Sequence, residues 1–110
     1  MVGVIKSSRD ISRVFKEGHR YGRGSSSIIV LERNELHGCS GRVAFIAGKK
    51  LGNAVWRNRA KRRMRAACND LGGPWDGYDV VFVARRNTTV DTYDKLIKGY
   101  QQALEQCGLR

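Results

Sequence analysis

The residues with chemistry to offer in this chain are cations, and they are gathered in one place. Between Lys49 and Arg65 the sequence reads KKLGNAVWRNRAKRRMR, with eight Lys or Arg and no acid. The whole 110-residue chain carries a formal net charge of +11, so this stretch dominates its electrostatics. Such concentration on a short, helix-compatible segment calls for a polyanion, and guanidinium forks suit phosphate oxygens because they bind them bidentately.

Helical geometry sorts the stretch into faces. With Arg57 at the origin and about 100° per residue, Ala60, Met64, Ala67 and Leu71 form one narrow stripe that must face a core. Arg57, Asn58, Lys61, Arg62 and Arg65 share a neighbouring arc of roughly 140°, while Arg59 and Arg63 point to a third side. Like charges at i, i+4, as in Arg57, Lys61 and Arg65, repel by a few tenths of a kcal/mol per pair. No acid offsets them before Asp70. A merely solvated helix face mixes signs. The preceding KKLGN turn adds Lys49, Lys50 and backbone N–H groups at the helix N-terminus, where the dipole also favours an anion.

Other chemistries find no support. No DxD or HExxH cluster, Ser-His-Asp set or CxxC pair is present, and KKLGNAV lacks the spacing of a phosphate-binding P-loop. Cys39, Cys68 and Cys107 are odd in number and widely spaced, which fits a reducing cytoplasm better than a disulfide framework. No apolar run approaches the roughly 20 residues of a membrane span, and MVGVIKSSRD is unlike a secretory signal. A membrane-surface helix would need bulky apolar residues where this one has Ala and Met. A DNA-reading helix would sit in a helix-turn-helix, whereas this one lies between strands. RNA is the better-matched polyanion.

The elements that must position these groups are those of one small α+β domain spanning residues 1–110, with 41% hydrophobic residues to fill its core. Ser7 or Ser8 caps a first helix carrying Ile11, Val14 and Phe15 and stopping at Gly18. On pattern alone Phe15 is a core residue. A polar, glycine-rich passage, HRYGRGSSS, precedes a strand at Ile28–Leu31, and a turn over ERNELHGCSG leads to a second at Arg42–Ala47. Asn53 caps the basic helix, which runs to about Leu71 before GGPWDG. Tyr78–Ala84 is a buried strand, Arg85–Thr89 a loop, and about Asp91 to Cys107 an amphipathic last helix. Arg85 and Arg86 either extend the basic surface or solvate a strand end, the second being the plainer reading beside a loop.

The basic stretch resembles the signature of the bacterial ribonuclease P protein subunit, K-x-G-x-A-V-x-R-N-x-x-K-R-x-x-R, with Lys50, Gly52, Ala54, Val55, Arg57, Asn58, Lys61, Arg62 and Arg65 at the matching positions. RVFKEG from Arg13 to Gly18 is similar to the family's first-helix pattern, and DVVFVARR falls at its last strand. The resemblance implies an α-β-β-β-α-β-α sandwich with a central sheet and a left-handed βαβ crossover. It also implies binding to a catalytic RNA and to the 5′ leader of precursor tRNA, whose removal the RNA catalyses, with Mg2+ held mainly by that RNA and no obligate protein partner. The RNA-contacting residues would be Lys49, Lys50, Arg57, Asn58, Arg59, Lys61, Arg62 and Arg65. Phe15 would line a leader cleft between the basic helix and the sheet, with aromatic stacking as its means. Ile11 stands where some members have a second aromatic, and SSSIIV offers none at a strand position that can supply a third. The alternative is a non-enzymatic RNA-binding protein of ribosomal or chaperone type.

Overall fold

The computed structural model describes residues 4–5, 7–33 and 41–109. The turn expected around 34–40, with His37 and Cys39, lies outside them. In chain order the elements are α1 (Ser8–Glu17), β1 (His19–Tyr21), β2 (Ser27–Glu32), β3 (Arg42–Ile46), α2 (Ala54–Asp70), β4 (Tyr78–Val83) and α3 (Tyr93–Gln106). This is the expected α-β-β-β-α-β-α order. Single 3-10 turns precede α2 at Lys49–Leu51 and follow β4 at Arg86–Thr89.

The four strands form one sheet in the order β1-β2-β4-β3. β2 is antiparallel to both β1 and β4, and β3 is parallel to β4, so α2 is the crossover between two neighbouring parallel strands. Register places Ile28 and Val30 beside Phe82 and Val80, which in turn lie beside Phe45 and Val43. Strand alternation sends this set to one face, where it meets Ala60, Met64, Ala67, Cys68 and Leu71 of the α2 segment and Leu96, Tyr100, Ala103 and Leu104 of α3. Ile29, Ala44 and Val81 point to the other face, where Val14 of α1 covers them, with Ile11 and Phe15 half-buried at the edge.

Local chemistry sets the ends of the helices. Asn53 caps α2 as expected, its side chain accepting from the Trp56 N–H at 2.9 Å. Thr92 does the same for α3 from Lys95 N–H at 3.3 Å, starting that helix two residues later than the pattern suggested. At the first helix, Ser7 occupies the cap position with no side-chain hydrogen bond. Gly18 ends α1 because its N–H returns to the Val14 carbonyl at 2.8 Å, and an added Cβ would lie 2.9 Å from the Val30 carbonyl oxygen.

A charged tie crosses the α1 face of the sheet. Asp79, 3% exposed, accepts two hydrogen bonds from Arg42, at 3.0 Å from Nε and 2.7 Å from the second terminal nitrogen. Arg42 also donates to Asp10 of α1 at 3.0 Å, and Arg33 lies 3.5 Å from Asp79. Those two carboxylates raise the Arg42 pKa above its ordinary value, Asp79 contributing most and burial opposing the shift.

Candidate nucleic-acid interface

The α2 helix is built to turn one stripe inward and leave the rest out. Ala60, Met64 and Ala67 are fully buried and Leu71 nearly so, as the helical spacing required. Cys68 joins them, and burial pushes its thiol up to about 11. At the entry, Gly52 leaves room for the Trp56 side chain, since a Cβ there would come 2.8 Å from the Trp56 Cγ. This packing fixes the KKLGN turn, and with it Lys49 and Lys50, against the first turn of the helix.

The expected arc is displayed beside this stripe. Asn58, Arg62 and Arg65 are exposed, Arg57 and Lys61 half-buried, and Arg59, Lys49 and Lys50 exposed around them. Among the described residues, no carboxylate lies within ion-pair distance of any of these cations. The carboxylates of the ion pairs seen are engaged elsewhere, in Arg13–Glu17, Arg42–Asp10, Arg42–Asp79, Arg33–Asp79 and Lys95–Asp91. Asp70, the first acid after the run, accepts instead from the Tyr93 hydroxyl. The Arg57 Nε is enclosed and has no hydrogen-bond partner, an arrangement that costs about 1–3 kcal/mol in a folded protein. Concentrated, unneutralised charge of this kind adds nothing to the fold and suits an external anion.

Three features of the surface were not evident from residue type. Arg63, which looks like its neighbours in sequence, is half-buried and donates to the Asp91 carbonyl at 2.6 Å, so it joins α2 to the start of α3. Arg65 rests over the Phe45 ring, 5.5 Å from its centroid. Val55 is 76% exposed in the first turn, an apolar side chain set among the cations. The i, i+4 spacing from Ala60 to Met64 hinted at the burial stripe but carried no signal for either the Arg63 or the Phe45 contact.

The leader cleft expected between α2 and the sheet does not form there. The α2 stripe packs directly into one sheet face, whereas Phe15 lies on the opposite face with Ile11, Leu31, Ile46 and Val83, all half-buried. The correction follows from alternation: Ile28 and Ile29 are adjacent in β2 and so belong to different cores. Phe15 and the cationic arc are thus not brought together across a shared groove behind the helix.

A four-stranded sheet with two helices on one face and one on the other, displaying an unpaired cationic helix, defines a small α+β nucleic-acid-docking protein. Comparison with known proteins gives the family. The family model for Ribonuclease P matches residues 3–108. The chain is 35% identical over 106 residues to the ribonuclease P protein component of Syntrophomonas wolfei, covering 96% of this chain and 87% of that one. It is 32% identical over 101 residues to that of Streptococcus thermophilus, covering 92% and 88%. Solved structures share its fold: the RNase P protein of Staphylococcus aureus superposes with a TM-score of 0.79 at 24% identity, over 99% of this chain and 98% of that one. The protein from Thermotoga maritima does so with 0.75 at 20%, over 93% and 94%. The chain belongs to the ribonuclease P protein family.

Proposed function

We propose that this protein docks on the ribonuclease P RNA through α2 and helps that RNA remove the 5′ leader of precursor tRNA. The observation that carries the reading is the set of cations with no carboxylate partner among the described residues: Lys50, Arg57, Lys61, Arg62 and Arg65, which with Asn58 stand on the positions of the motif, and Lys49 and Arg59 beside them. A phosphate backbone relieves their mutual repulsion and releases its own counterions on binding, which favours association.

In this reading the protein supplies position and charge, and the phosphodiester is cut in the RNA. Hydrolysis needs metal ions, which the RNA would hold. Among the described residues no group of three His, Cys, Asp or Glu gathers to hold one, so no step is assigned to a protein-bound metal. The single-stranded leader would lie on the α1 face of the sheet, where Phe15 offers a half-buried aromatic ring bordered by Ile11, Leu31, Ile46 and Val83. Bases stack on aromatic ring faces with little regard to sequence. The site of action would be the cytoplasm, and no helix among the described residues is long and apolar enough to cross a membrane.

Reconstitution tests the reading. Purified protein alone should leave precursor tRNA intact, and added to its cognate RNA at low magnesium it should restore cleavage. Precursor tRNA should bind the complex more tightly than mature tRNA, and Phe15→Ala should shrink that difference. RNA binding with no gain in cleavage would instead identify a plain RNA-binding protein.

A further inference from the structure

A second cationic surface lies away from the α2 arc. It is built on the turn between β1 and β2 and on the 3-10 turn after β4. Sheet topology brings these together: β1 ends, β2 begins and β4 ends at the same end of the sheet. Arg63, on the other side of the buried stripe from Arg57, reaches the Asp91 carbonyl and so sets this end on the far flank of α2.

Hydrogen bonds inside the protein hold the surface rigid. Ser25 and Ser26 are buried, and the Ser25 hydroxyl donates to Asp91 at 2.7 Å while the Ser26 hydroxyl donates to the Leu96 carbonyl at 2.9 Å. Thr88, fully buried, donates to the Ser25 carbonyl at 3.2 Å and accepts from the Arg85 N–H at 2.8 Å. Gly99 of α3 packs so closely on Ser26 that a Cβ would overlap its hydroxyl. From this braced base Arg23, Arg85, Arg86 and Asn87 project into solvent. Arg23, Arg85 and Arg86 border a depression of about 560 Å³. A second, of about 390 Å³, shares Arg23 and Asn87 and adds Lys95 and Lys98. The one acid lining either hollow is Asp91, already engaged by Ser25 and 3.8 Å from Lys95.

The lining chemistry selects among RNA forms. Single strands are held on aromatic platforms that stack splayed bases. Neither hollow has an aromatic or bulky apolar lining residue; the larger is walled by Gly, Ser, Asn and Arg, and the smaller adds Lys, Gln and Asp91. Such donors suit phosphates and 2′-hydroxyls, which are what an A-form helix presents at its shallow groove. We propose that this rim is a second RNA-docking site, one that takes the sugar–phosphate backbone of a double-helical RNA segment while α2 holds another part of the same RNA. The inference rests on the reading that the partner is RNA. It reassigns Arg85 and Arg86 from strand-end solvation to binding.

The test compares full-length protein with the double variant Arg23→Ala/Arg86→Ala, using a short blunt RNA hairpin and a single-stranded RNA of equal length as probes. Thermal unfolding of the variant should match the wild type, because both side chains are exposed and neither belongs to the bracing network. Hairpin affinity should fall several-fold, and its log–log salt slope should drop by roughly 0.9 per lost contact, with single-strand affinity held within about twofold by the same counting. Equal losses on both probes, or none on the hairpin, overturn the proposal. The two readings fail separately. A wild type that binds neither probe and restores no cleavage removes the RNA reading itself. A wild type that restores cleavage while the variant keeps full hairpin affinity removes only the second site.

Discussion

Arg65 and Phe45 form a cation–π pair that joins the basic helix to the edge of the sheet, with the guanidinium 5.5 Å from the ring centroid. The ring is itself held by Phe82, at 5.3 Å between centroids, and Phe82 meets Tyr100 edge-on at 5.0 Å. The aromatic core thus reaches the surface at the point where one of the cations of the proposed RNA-binding arc stands. Fixing the Arg65 side chain before binding lowers the entropy lost on contact with phosphate. Phe45→Leu keeps an apolar plug but removes the platform. RNA affinity should fall by about 2- to 5-fold, the value of an exposed cation–π contact. Anisotropy titration checks this, and an unchanged affinity would show that Arg65 needs no such support.

Arg57 sets stability against function at one position. Its Nε is enclosed without a partner, and Lys61 stands one turn away on the same arc. Arg57→Met keeps the aliphatic stem that packs on the helix flank and removes both the unsatisfied donor and the repulsion. The variant should unfold at the same temperature as the wild type or a few degrees higher. Its RNA affinity should fall about 10-fold or more, since a charge-assisted contact contributes about 1.5–3 kcal/mol. Parallel melting and binding curves decide it. A variant that loses stability would mean that Arg57 serves the fold.

The Cys68 thiol predicts an alkaline loss of stability. Burial raises its pKa from 9.0 to about 11. Below pH 9 both native and unfolded thiols are protonated and the group has no pH-dependent effect. Between about pH 9 and 11 the unfolded chain sheds its proton while the native state keeps it, so stability falls, by about 2–3 kcal/mol in all. Tyr93, pushed up to about 12 by burial and then by the Asp70 carboxylate, adds a fall of the same sign at higher pH. Comparing urea unfolding of wild type and Cys68→Ala from pH 7 to 11 isolates the thiol. The variant starts lower because of the cavity, and its curve should be flatter over that window.

Much of the scaffold was legible because its signals are periodic. Ala60, Met64, Ala67 and Leu71 recur at helical spacing, and all are buried. Asn53 combines a cap side chain with a helix that follows it, and it caps. β1 offered no such signal: its three residues, His19–Tyr21, are exposed or half-exposed, and pairing with β2 makes them a strand. Ile28–Leu31 is apolar on both sides, so its pattern said that both faces are covered and not which helix covers which. That missing fact is why the expected cleft was set on the α2 face, when Phe15 lies on the other. Arg63 was unreadable for a different reason. Its partner is a main-chain carbonyl 28 residues on, and composition cannot register a carbonyl.

The Arg42 tie gives a last prediction, in which two carboxylates on one guanidinium play unequal parts. Asp79 is buried with its side chain 4% exposed, whereas that of Asp10 is 36% exposed. Removing Asp10 by Asp10→Asn leaves Arg42 paired to Asp79 and loses one partly solvated contact, a cost of about 0.5–1 kcal/mol. Arg42→Met is different in kind: among the described residues it leaves the buried carboxylate with Arg33, at 3.5 Å, as its remaining ion-pair partner. That change should cost about 2 kcal/mol or more, short of the full penalty for an unpaired buried charge because Arg33 remains. Both variants loosen α1, which carries Phe15, against the sheet. Asp10→Asn should therefore weaken the preference for leader-bearing tRNA while lowering the melting temperature by only about 2–6 °C. If leader preference follows stability across the two variants, the tie serves folding alone. If Asp10→Asn lowers it out of proportion to its smaller loss of stability, the tie also sets the angle of Phe15 toward a bound leader.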